Sequence, residues 1–240
     1  MTLQFRSIAI GTGIAFRTTL SVLSAVTLIG ACAPTAKPLL GAPTGAALPA
    51  TELPPGNRQM TFTWKYKDDT FEANGDGVVR VAAPNRARLD FYLKNGIGGG
   101  MAILDGDSLI IPGIELVRRF LPPLPLLWAT LGRLAVPATP DTVTRVDGDT
   151  LRADLGVLRG GDASRAEGRA WRIAFAGKVL TRVERIDKGK VQEWVHRTVN
   201  DQTGTGELQY VNEGGRRSLS ISVTETRSVG AFDDAIWRKP

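Results

Sequence analysis

The stretch FLPPLPLLWATLGRL, Phe120–Leu134, is apolar save for Arg133 and threonine, yet it interrupts a chain that otherwise alternates polar and apolar residues. It is too short to cross a bilayer, which takes roughly 20 apolar residues in a helix. Pro122 and Pro123 break any helix entering it, and Pro125 suits the first turn of a new one. From there PLLWATLGRL spreads Leu126, Leu127, Trp128, Leu131 and Leu134 round most of a helix. A helix apolar on most sides is buried on most sides. Just upstream, IPGIELVRRF sets Ile114, Val117 and Leu121 on one face and Arg118 and Arg119 off it, which predicts a short preceding helix.

What this segment is buried against follows from the flanking pattern. Glycine-containing turn signals recur at 74–77 (NGDG), 94–96 (KNG), 105–107 (DGD), 147–149 (DGD), 176–178 (AGK), 187–190 (DKGK) and 212–215 (NEGG). Between them residues alternate with period two. Met60, Phe62, Trp64 and Tyr66 fall on one face of a strand; Ala87, Leu89, Phe91 and Leu93 on another. Trp171, Ile173 and Phe175 repeat the pattern, as do Leu219, Ile221 and Val223. Such alternation predicts antiparallel strands with one wet and one buried face. About ten strands joined mostly by hairpins make a sheet too large to stay flat. Its apolar face must close on itself or be covered. The simplest place for the apolar helix is the concave side of the curled sheet, as a plug.

A family resemblance sharpens this. GDGVVRVAAPNRARLDF, Gly75–Phe91, sets Gly75 and Gly77 as a turn, then Arg80, then Pro84 and Arg86 in a second turn, then Arg88, Leu89, Asp90 and Phe91. GGGMAILDGDSLIIP follows, and FDDAIWR stands near the end. These segments resemble the bacterial lipoprotein-carrier superfamily, which includes the periplasmic lipoprotein carrier and its outer-membrane receptor. The resemblance implies a mainly β fold, a curled antiparallel half-barrel of about ten or eleven strands with short helices plugging its concave face. It also implies a concave cavity for acyl chains of lipids or lipoproteins. Phe62, Trp64, Leu89, Phe91, Leu127, Trp128, Leu131, Trp171 and Phe175 are the expected lining; each also suits plain core packing. In the receptor an exposed aliphatic residue sits on the loop after the third strand. Ile97 in KNGIGGGM is the matching residue, expected to touch membrane or cargo unless it folds back on the core.

The N-terminus supplies an address. Arg6 and Arg17 precede an apolar run, Leu20 to Ile29, and Ile29-Gly30-Ala31-Cys32 closes it. That tetrapeptide resembles the lipobox of bacterial lipoproteins, which makes residues 1–31 a signal peptide and Cys32 the lipidated residue; the alternative is a stray thiol behind an ordinary signal. Cys32 is the only cysteine, so no internal disulfide forms. Ala33 after it implies the outer membrane, periplasmic face, by resemblance to proteobacterial sorting rules. Residues 32–58 are rich in Pro, Ala, Gly and Thr, which predicts a tether holding a single domain, 59–240, off the membrane.

Chemistry is sparse. The net charge of +6 is scattered in arginine pairs with no basic block and no interleaved aromatics, which argues against nucleic acid as a partner. His196, the single histidine, has no nucleophile or ligand set in register with it. Asp68, Asp69, Asp105 and Asp107 fall in expected turns. No catalytic residue, metal site or cofactor is expected. Two functions remain. One is a lipid-anchored envelope protein binding acyl chains or acylated lipoproteins, with a periplasmic carrier protein as a further partner. The other is an anchored scaffold with a permanent plug that docks another envelope protein.

Overall fold

The computed structural model describes residues 33–49, 52–94, 98–113, 115–136, 141–157, 161–200 and 203–238. The signal segment, Cys32, Ile97 and Ile114 lie outside them. The strands are β1 (Ala42–Pro43), β2 (Asn57–Lys67), β3 (Glu72–Ala82), β4 (Arg86–Leu93), β5 (Gly99–Asp105) and β6 (Ser108–Ile110). Helices α1 (Glu115–Phe120) and α2 (Leu124–Thr130) follow. Then come β7 (Thr142–Asp147), β8 (Thr150–Leu155), β9 (Arg169–Ala176), β10 (Val179–Asp187), β11 (Lys190–Val199), β12 (Gly206–Asn212) and β13 (Arg217–Val229). All thirteen form one open antiparallel sheet, ordered β1-β7-β8-β9-β10-β11-β12-β13-β2-β3-β4-β5-β6. Two meanders therefore meet where β13 returns to β2, pairing Leu219 with Tyr66 and Ile221 with Trp64.

The sheet is curled because one core joins strands far apart in that order. Leu104 of β5 and Leu151 of β8 belong to the same buried cluster as Val117, Phe120, Leu126, Leu127 and Trp128 of the helical segment. Register shifts at Leu180/Arg182 and Arg185/Ile186 in β10, and at Val223/Glu225 in β13, add local twist where the curl is needed. The architecture is the half-barrel expected. The count exceeds the expected ten or eleven because of two short edge strands, β1 and β6, whose brevity limits the unpaired edge they present.

Two local expectations need correction. NGDG at 74–77 is not a turn; it lies inside β3. Gly75 pairs with Trp64 and Gly77 with Phe62 across the strands. A β-carbon on Gly77 would run into the Phe62 ring, and one on Gly75 into the Tyr92 carbonyl. The glycines are there to admit aromatic rings and a close backbone, not to reverse the chain. The reversal comes at Asp68–Thr70, where Asp68 accepts from the Thr70 amide at 2.8 Å.

Nor do the described residues of 32–58 hang free as a tether. Thr35 bridges Lys190, the Ala36 amide donates to Gly189 at 2.8 Å, and β1 pairs with β7. Ala36, Leu39 and Leu53 are buried. Low periodicity hid this, because a strap held by scattered backbone bonds has no repeating apolar face.

Gly77→Val should destabilise the domain by about 1–3 kcal/mol through overpacking against Phe62. Urea unfolding would read this as a lowered midpoint with an unchanged slope.

Candidate functional site

The site is the concave face with its helical cover. Strand alternation turns Phe62, Trp64 and Tyr66 of β2, Leu89 and Phe91 of β4, and Trp171, Ile173 and Phe175 of β9 inward. Phe120, the last residue of α1, enters this face. Its ring stacks on Trp64 at 5.2 Å between centroids and meets Tyr66 and Phe91, both at 5.4 Å. Pro122 and Pro123 then turn the chain into α2, which has proline in its first turn as expected. The helix ends at Thr130, sooner than the expected run to Leu134. Gly132 in the left-handed region (φ +88°) closes it. Leu126, Leu127, Trp128 and Ala129 are buried, and α2 lies against β10 and β11.

Both helices are tied down by polar contacts. The Trp128 indole donates to the Gly106 carbonyl at 2.9 Å, and Arg133 lies over the ring at 4.7 Å. Arg119 of α1 donates to Asp68 at 2.7 Å, and Arg217 donates to the Arg119 carbonyl at 2.8 Å. The Tyr66 hydroxyl also donates to Asp68, at 2.6 Å; together with Thr70 and Arg119 it holds that carboxyl well below the usual carboxylate range. Burial, aided by the Asp68 charge, pushes the Tyr66 phenol up to about 12.

Beside the C-terminal end of α2 lies an apolar hollow of about 80 Å³. Phe62, Leu89 and Leu131, among the expected lining residues, border it. Trp64, Phe91, Leu127, Trp128, Trp171 and Phe175 belong instead to the packed core around the helices. Sequence reading missed Val79, Leu208 and Val199 on the wall, and Arg58 and Arg197 beside them. Leu208 had a findable signal, since GELQYVN alternates like its neighbours. The arginines had none, because only the third dimension brings the start of β2 beside the end of β11. Burial lowers Arg58 from its ordinary value, and its Nε is buried without a hydrogen-bond partner.

The outer face explains the family-like residues differently. Asp90 is buried there between Arg80, whose Nη1 donates at 2.6 Å, and Arg88, whose Nε donates at 3.0 Å. Arg88 also donates to the Ile236 carbonyl, so Arg-Leu-Asp-Phe and the closing FDDAIWR segment hold one another. Asp154 is clamped likewise by Arg172 at 2.7 and 2.8 Å. His196 sits half-buried on this face, lowered by burial and by Arg182 opposite it. Among the described residues no acid, histidine and cysteine cluster could hold a metal ion, and no helix is long and apolar enough to cross a membrane.

No protein-family model and no curated protein matches the sequence. Solved structures that it is similar to include a LolA superfamily protein of Nitrosomonas europaea, at 10% identity and a TM-score of 0.47, over 79% of this chain and 93% of that one. Another is a DUF1329 family protein of Desulfovibrio piger, at 10% identity and a TM-score of 0.45, over 77% and 90%. The first belongs to the superfamily that Gly75–Phe91 resembles. Likeness at that level leaves the half-barrel resting on the strand register and shared core of this chain.

Trp128→Phe removes the bond to Gly106 and, with its smaller ring, leaves a cavity at a fully buried site, so it should cost about 2–4 kcal/mol in denaturant unfolding.

Proposed function

We propose that the chain is a lipid-anchored envelope protein, acylated at Cys32, that takes an acyl chain of a lipid or lipoprotein into its concave face. The observation that carries this reading is α2 itself: a short helix, buried on nearly every side, lying against the sheet beside an apolar hollow. The hollow is too small for an acyl chain as it stands, being about half the volume of a cavity of about 150 Å³ that holds one benzene. α2 must therefore move aside when ligand enters. Exposing Leu126, Leu127 and Trp128 costs about 1.5–3 kcal/mol each, while each buried methylene returns about 0.8 kcal/mol. A chain of about ten methylenes or more offsets the displacement; a short one does not. Localisation on the periplasmic face of the outer membrane, with delivery by a periplasmic carrier protein, belongs to the same reading. The bond from Trp128 to Gly106 favours the competing one, a permanently closed scaffold that docks an envelope partner.

Chain length separates the two. The protein should bind a sixteen-carbon fatty acid and not a six-carbon one in native mass spectrometry, with Leu208→Glu abolishing the long-chain complex. Absence of any long-chain complex, including in the Trp128→Phe variant, would leave the scaffold.

A further inference from the structure

The strap that replaces the expected tether brings charges together. Its residues 34–37 are tied to the β10–β11 turn: the Val191 amide donates to the Pro34 carbonyl at 2.9 Å, and Thr35 bridges Lys190. The same turn holds two other segments. The Lys188 amide donates to Gly168 at 3.2 Å, and Gly189 approaches the Ser164 carbonyl so closely that a β-carbon would stand 2.8 Å from it. Asp187 pairs with Arg169 across β10 and β9. Lys37, Arg165, Arg169, Lys188 and Lys190 thus stand on directly bonded pieces of chain, and all five are exposed. Among the described residues, none of their side chains has a hydrogen-bond or ion-pair partner. Two carboxylates, Glu167 and Asp187, accompany them, while Asp162 nearby is occupied by the amides of Leu39 and Ser164.

We propose that this basic end of the sheet is a membrane-contact surface that rests on anionic lipid headgroups. Position supports it as well as charge, and the positional half rests on the lipid-anchor reading above. Cys32 precedes Pro34 by two residues, a reach of at most about 7 Å. An acyl anchor at Cys32 then brings the β10–β11 turn to the bilayer rather than holding the domain away from it. β4 ends and β5 begins at the same end of the sheet, where the β2–β3 and β12–β13 turns also lie. Each basic side chain near an anionic bilayer adds about a fivefold gain in partition, screened by salt.

The test uses the chain purified from membranes of cells that make it, incorporated into vesicles of phosphatidylglycerol or phosphatidylcholine. Amide exchange at 163–169 and 187–190 should slow on phosphatidylglycerol only, and the protection should disappear in a Lys37→Gln, Lys188→Asn, Lys190→Asn variant that still floats with the vesicles. Equal exchange on both lipids overturns the surface. Intact mass reports acylation of Cys32 separately. If the acyl mass is absent, co-sedimentation reads the surface alone: about a hundredfold weaker binding to phosphatidylglycerol by the triple variant supports it, and no preference between the lipids overturns it.

Discussion

The aromatic and aliphatic face of a thirteen-stranded sheet has to be removed from water, and in this chain that task falls to fifteen residues between β6 and β7. Phe120 stacks among Trp64, Tyr66 and Phe91, and Leu126, Leu127 and Trp128 fill the trough over β10 and β11. Each such side chain contributes about 1.5–3 kcal/mol by burial. Without them the curl would have no contents, and β5 and β8, far apart in the strand order, would lose the cluster that joins Leu104 to Leu151. The bulges in β10 and β13, the glycines opposite Trp64 and Phe62, and the latch from Trp128 to Gly106 all serve this one contact.

A second layer of interactions stiffens the outside. Asp90, between Arg80 of the neighbouring strand and Arg88 of its own, and Asp154, in the fork of Arg172 across β8 and β9, are buried paired acids. Removing one partner of such a pair would leave a buried unpaired charge, so breaking it costs more than the intact pair adds in net stability. The Arg172 guanidinium also donates to the Lys37 carbonyl, so the outer ladder holds the N-terminal strap. The outer ladder thus holds its shape through bonds that do not pass through α1 or α2.

Much of this was legible in the sequence for a physical reason. Period-two alternation in β2, β4, β9 and β13 reports a single buried face, and all-round apolarity in PLLWATLGRL reports an enclosed helix; both are local signals. What escaped was non-local. Gly75 and Gly77 look like turn residues until the rings across the strands are placed. Residues 34–43 look like a linker because their partners, Gly189, Asp162 and Val146, are more than a hundred positions away. Arg58 and Arg197 meet at the hollow only after β2 and β11 are brought to one side of the fold.

The decisive property is whether the insert yields to a hydrocarbon tail while the shell stays put. Hydrogen exchange across Leu124–Thr130, measured with and without saturating palmitate, reads it directly. Faster exchange confined to that helix, with β2, β9 and β13 unchanged, is the predicted result. Palmitate bound with the helix still fully protected would contradict it, because the tail would then lie somewhere other than beneath α2.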